Sequence, residues 1–208
     1  MVRWMAATAL PLLVAAAPPG ATGVQAEVDA ALERAVEEGR IVGAVVLIAR
    51  DGETIYRRAI GAADRELGVP MREDAIFRLA SATKPIVSAA ALSLVEEGRI
   101  GLDDPVTKWL PAFRPALEDG TRPTITIRHL LTHTAGLGYD FLQPEDGSLR
   151  RAGVSNGLDG TGLGAEENLR RLAGVPLQYR PGEGWGYSMA TDVLGEAIAR
   201  AAGVPLPD

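Results

Sequence analysis

Ser81-Ala82-Thr83-Lys84 places a hydroxyl and an amine three residues apart, where one turn of helix makes them neighbours. A serine hydroxyl attacks a carbonyl only when a base removes its proton, and a neutral lysine can be that base. Neutrality near pH 7 requires the amine to fall from ~10.4, a cost of about 4 kcal/mol. A helix N-terminus supplies only ~0.3–1 kcal/mol, so burial and a neighbouring cation or phenol must supply the rest. On the tetrapeptide alone the plainer reading comes first: Ser81 caps a helix and Lys84 is a solvated first-turn residue. Tyr187, within Trp185-Gly186-Tyr187-Ser188-Met189, could shuttle a proton between such a serine and a leaving group. As an isolated loop tyrosine it would only pack its ring.

Other residues offer other chemistries. Gly186-Tyr187-Ser188-Met189-Ala190 nearly matches a nucleophile elbow with Ser188 at its tip. An elbow needs a buried strand in front of it, and Tyr179-Arg180-Pro181-Gly182-Glu183-Gly184 is not one. His129 and His133 are the two histidines, four apart on a short helix, and could share a metal. No third ligand is specified, and no glutamate stands between them as in a metalloprotease helix. Gly160-Thr161-Gly162-Leu163-Gly164 lacks a preceding strand and reads as a flexible loop rather than a nucleotide cradle.

The composition narrows the classes. There is no cysteine, which excludes disulfides, thiolate nucleophiles and cysteine-held metal centres. A net charge of −6 without a basic tract argues against nucleic acid as a partner. No apolar run is long enough to span a bilayer. With 47% hydrophobic and 23% charged residues the chain can build a core. Residues 1–23 carry Arg3, an apolar stretch from Trp4 to Ala17 and a small-residue exit, the order of a secretory signal. That reading places the protein in the periplasm or outside the cell; without a cleaved signal it would be cytoplasmic.

The elements that must position these groups follow from period and punctuation. A helix is expected over Val24–Glu38, with Val28, Leu32 and Val36 on one face. Ile41–Ala49 reads as a strand covered on both faces, and Asp51-Gly52 as a tight turn into a second strand, Glu53–Ile60. Residues 61–76 read as loop. A helix is expected from Thr83 to Gly98 with Ile86, Val87, Ala90, Leu94 and Val95 as its apolar face. Further helices are expected from Asp104-Pro105 to before Pro111, over Ile125–Thr134, over Glu166–Leu172 and over Ala190–Ala202, with a long loop at 138–165.

Several of these stretches stand in a familiar order. Phe77-Arg78-Leu79-Ala80 before Ser81-Ala82-Thr83-Lys84, then Leu102-Asp103-Asp104-Pro105-Val106, resembles the β-lactamase-related serine hydrolases. So do the run Ile127–Leu137, Pro181-Gly182-Glu183 leading to Tyr187-Ser188, and Asp192-Val193-Leu194-Gly195. That family includes class C β-lactamases, D-alanyl-D-alanine carboxypeptidases and esterases of the same fold. The resemblance covers about Val24 to Asp208, a single domain after the leader. It implies an α/β (α+β) fold of the β-lactamase/transpeptidase type, an antiparallel sheet flanked by helices plus a helical subdomain. It implies Ser81 as acylated nucleophile, Lys84 as its base partner and Tyr187 as the family's proton-handling tyrosine.

It also implies no cofactor, no metal and a small-molecule ester or amide substrate. Met189 stands where the family's Tyr-x-Asn motif has an asparagine, which favours esters over β-lactams. The later Lys-Thr-Gly or His-x-Gly motif has no match, so the chain resembles the N-terminal part of the fold. On that reading the remaining strands and an oxyanion donor are missing, and the chain alone is a weak esterase. β-Lactamase or carboxypeptidase-like activity, and an inactive fragment or binding domain, remain the alternatives.

Overall fold

The computed structural model describes residues 21–206, and the chain divides into two compact units, Met1–Arg78 and Leu79–Asp208. Most of the expected leader lies outside the described residues. Helix α1 spans Ala21–Glu37, starting three residues before the expected Val24. Its half-buried positions include Val24, Val28, Leu32 and Val36, the spacing of a single stripe. Strands β1 (Gly43–Arg50) and β2 (Glu53–Asp64) form an antiparallel hairpin. Asp51 and Gly52 at its tip have φ of 52° and 82°, the left-handed pair whose twist matches the strands.

β2 runs past the expected Ile60 because Gly61 faces Gly43 in register. A Cβ on Gly61 would meet the Val42 carbonyl oxygen at 2.3 Å, so only glycine allows the strands this close. β3 (Val69–Pro70) then pairs with β2, placing the sheet's proline on an edge where a missing N–H costs nothing. Within the loop expected at 61–76, residues 61–64 and 69–70 are thus strand, and the rest is turn and irregular. β1 is not covered on both faces: Leu47 is 57% exposed, and Val45, Val46 and Ile48 are half-buried. Side chains tie α1 to β2, with Gln25 donating to the Ile55 carbonyl and Tyr56 to Asp29. Arg58 reaches both Asp29 and Glu33.

The second unit is helical. A 3₁₀ turn at Ala80–Ala82 runs directly into α2 (Thr83–Glu96). Later come α3 (Ile127–Leu131), α4 (Ser148–Arg151), α5 (Ala165–Ala173) and α6 (Ala190–Ala202). α2 and α3 both pack on α6, and Ala91, Leu94, Ile127, Leu130, Val193 and Leu194 are buried together there. α2 presents Val87, Ala91 and Leu94 to this core, while the expected face residue Ile86 is 58% exposed.

Asp104-Pro105 does not open a helix. Pro105 is extended (ψ 135°) and bridges Thr126, and the Val106 N–H bonds the Ile125 carbonyl at 2.8 Å. This pairing carries Val106 into the core, and only a 3₁₀ turn follows at Val106–Lys108. The Asp104 carboxylate accepts instead from the Gly101 N–H and pairs with Lys108. Within 138–165 the chain forms a 3₁₀ turn at Asp140–Leu142 and α4, not one long loop. No helix among the described residues is long and apolar enough to cross a membrane.

Candidate active site

Ser81 does not cap α2. That helix starts after Ala82, and no side chain caps it. Ala80 immediately before Ser81 has φ 45°, an uncommon conformation for alanine that turns the chain tightly into the helix. Ser81 Oγ is therefore free to accept from two donors. Lys84 Nζ donates to it at 3.2 Å, and the Tyr187 hydroxyl donates at 2.6 Å across 106 residues of sequence. The three residues singled out from sequence thus meet at one oxygen.

Tyr187 is held by its backbone. The N–H groups of Gln178, Gly182, Gly186 and Met189 bond in turn to the carbonyls of Gly136, Thr134, His133 and Gly138, at 2.8–3.3 Å. This seam fastens the segment before α6 to the segment after α3. Gly136 is its tightest point, with φ 78° and a Cβ position 2.2 Å from the Tyr179 carbonyl oxygen. Only glycine fits there.

Two more aromatic residues join the group. Tyr139 is buried and its ring lies 5.4 Å from that of Tyr187. Lys84 Nζ sits 5.3 Å from the Tyr139 ring centre and 4.9 Å from that of Tyr187, within cation–π range of both. His133 packs its ring on Tyr187 at 5.1 Å, and its Nδ1 lies 3.3 Å from Ser188 Oγ.

The electrostatics reverse the direction expected of a lysine base. Burial acts to lower the Lys84 ammonium, but the Tyr187 and Tyr139 oxygens around it outweigh burial, and the net shift is upward. Tyr187 moves the other way. Burial raises its phenol, yet the Ser81 hydrogen bond and the Lys84 ammonium more than offset this, and it falls below the usual 10.0. Burial pushes Tyr139 up. Asp192, 3.5 Å from the Tyr139 hydroxyl, is also raised by desolvation although its side chain keeps contact with solvent. The arrangement favours an ammonium on Lys84 and makes Tyr187 the more readily deprotonated phenol.

The competing sites come apart. Ser188 is fully buried, with no exposed edge for a substrate, so the elbow reading fails on access as well as on the absent strand. His129 and His133 do not share a helix face, because α3 ends at Leu131 and His133 is left-handed at φ 55°. His129 Nδ1 accepts from the Thr126 N–H in a capping box, a role its spacing three residues after Thr126 signals. Met189 is 2% exposed and packs in the core. Tyr139 carried no sequence signal. It lies 48 residues before Tyr187, and only the seam brings the two together.

The fold and the Ser81–Lys84–Tyr187 cluster define the class. Residues 28–208 match the family described as Beta-lactamase, and the chain belongs to it. The fold is β-lactamase/transpeptidase-like, mixed helix and antiparallel sheet, as the sequence resemblance implied. Among curated proteins the chain is 55% identical over 186 residues to Esterase EstB of Burkholderia gladioli, a match covering 89% of this chain and 47% of that one. Among solved structures it is similar to EstCE1, described as a hydrolase with promiscuous acyltransferase activity. That likeness has a TM-score of 0.87 and 48% identity over 90% of this chain and 49% of that one. Simvastatin synthase (LovD) from Aspergillus terreus aligns at a TM-score of 0.65 and 34% identity, covering 87% and 48% of the two chains. The chain spans about half the length of the relatives it matches.

Proposed function

We propose that the protein is a serine esterase that takes the acyl group of a small ester onto Ser81. One observation carries the reading: the 2.6 Å contact between the Tyr187 hydroxyl and Ser81 Oγ, backed by Lys84. In the proposed reaction the Tyr187 phenolate, held by the Lys84 ammonium, removes the Ser81 proton as Oγ attacks the ester carbonyl. The carbonyl bond to the alcohol oxygen then breaks, and Tyr187 returns the proton to that oxygen. Water enters and attacks the acyl carbonyl as Tyr187 takes its proton; the acyl–Oγ bond breaks, Tyr187 returns the proton to Ser81 Oγ, and the free acid leaves. The similarity to an esterase and to a hydrolase that also transfers acyl groups supports ester chemistry over lactam chemistry.

A fluorophosphonate reagent with the 208-residue chain tests the assignment directly. The label is expected on the peptide holding Ser81 and is expected to vanish in Ser81→Ala. Label on Ser188, or label that survives Ser81→Ala, would overturn it.

A further inference from the structure

Tyr187 is the centre of a row of rings, not an isolated phenol. On one side Tyr139 lies 5.4 Å away, and Phe141 stacks on Tyr139 at 4.7 Å with 20° between the planes. On the other side His133 lies 5.1 Å away, with Trp185 edge-on to it at 6.4 Å. Each step lies in the range where rings attract one another. The inner rings are buried or half-buried, but the row ends in the open: Phe141 is 49% exposed and Trp185 is 69% exposed. Aromatic surface flanking the phenol and open to water at both ends is available to a ligand seated at Ser81.

The proposed reaction says which part of the ligand this is. The alcohol oxygen must sit at the Tyr187 hydroxyl to receive its proton, so the carbon skeleton attached to that oxygen lies along the rings flanking Tyr187. We propose that this aromatic row seats the alcohol portion of the ester, and that the preferred alcohols are apolar and flat. Trp185 is the anchor, because it is the more exposed end and directly precedes the Gly186-Tyr187 turn. The inference rests on the esterase reading and adds the substrate class to it.

Two ester series separate the alcohol from the acyl side. With acetates of ethanol, benzyl alcohol and 2-naphthylmethanol, kcat/KM is expected to rise about tenfold or more from ethyl to the aryl esters, the scale of one good ring contact. In Trp185→Ala that ratio is expected to fall to about one; the residue is exposed, so the fold survives. With ethyl esters of acetic and phenylacetic acid, Trp185→Ala is expected to leave the acyl ratio in place. A parent without aryl preference, a preference that follows the acyl group, or an alcohol ratio unchanged in Trp185→Ala would each overturn the proposal. Ser81→Ala provides a readout without turnover, through calorimetric binding of benzyl acetate and of ethyl acetate. Tighter binding of the benzyl ester, lost when Trp185→Ala is added, upholds the row even if the parent hydrolyses nothing, in which case the esterase reading alone fails. Equal binding of the two esters overturns the row.

Discussion

The two units of the chain differ in how much of themselves they bury. In the helical unit, Leu130, Val193 and Leu194 reach 0% exposure and adjoin a continuous apolar core. In the unit of α1 and the hairpin, Tyr56, at 7% exposure, is the one buried hydrophobic residue among those described, and Leu47 and Val42 face water. Both units have apolar residues at the right period. The difference is that crossing helices enclose a volume, whereas one helix and a three-stranded sheet cover only one side of each other. The Ser81 cluster belongs to the closed unit, where packing can hold three side chains on one oxygen.

If the chemistry resides in that unit, its largest effects should leave stability alone. Lys84→Ala is expected to lower acylation about 10²–10⁴-fold, the range for a positioned proton-handling group, with little change in melting. Because Tyr187 lies below 10.0 through Ser81 and Lys84, loss of the cation should move the rising limb of the pH–rate profile to higher pH. Lys84→Arg keeps the cation and should retain part of the rate, whereas a lysine base would lose it as fully as Lys84→Ala. Equal loss in both variants would return the base role to Lys84.

Packing separates the units next. Leu130→Ala should cost about 2–5 kcal/mol by urea unfolding, as expected for a fully enclosed leucine. Val45→Ala, on a half-buried strand, should cost about 1 kcal/mol or less. A larger loss at Val45 would mean that the hairpin is the better-packed element and would break the comparison.

Titration gives the smallest effect. Burial lowers both His129 and His133 below 6.5, and the Lys84 charge adds to this at His133. The unfolded chain therefore binds these protons first, so stability falls as pH drops below 6.5 and levels off below the folded values. His133→Asn, which tolerates the left-handed backbone, should shrink that step. The hairpin unit has no histidine; its Asp29, held down by Tyr56 and Arg58, loses its contribution only below 3.8. An unchanged step in His133→Asn would place the titration elsewhere.

Where local chemistry decides structure, the sequence was legible. Ala190–Ala202 is helical over the expected residues and Asp51-Gly52 turns the hairpin, while the meeting of Ser81, Lys84 and Tyr187 was legible only through the family resemblance. It misled where a tertiary pairing outbid a local signal. Asp104-Pro105 reads as a cap and first turn, yet pairing with Ile125–Thr126 draws the segment out straight. The capping expected of Ser81 gave way to the contact with Tyr187. The aromatic row was invisible because it is assembled from two distant segments, 133–141 and 185–187, that only the seam brings together.

The main-chain seam that carries Tyr187 has a consequence for how such a site can change. Amide-to-carbonyl bonds do not depend on which side chains hang from them, so the placement of the phenol is inherited from the trace of the backbone. Exposed positions of the stretch such as Arg180, Glu183 and Trp185 can exchange side chains without breaking those bonds. The glycines are the exceptions: an added carbon at Gly136 collides with the Tyr179 carbonyl, Gly182 is left-handed at φ 88°, and a Cβ at Gly186 would lie 2.9 Å from the Tyr179 hydroxyl. Variation at those exposed positions therefore leaves the reacting atoms in place, and the glycines bear the constraint.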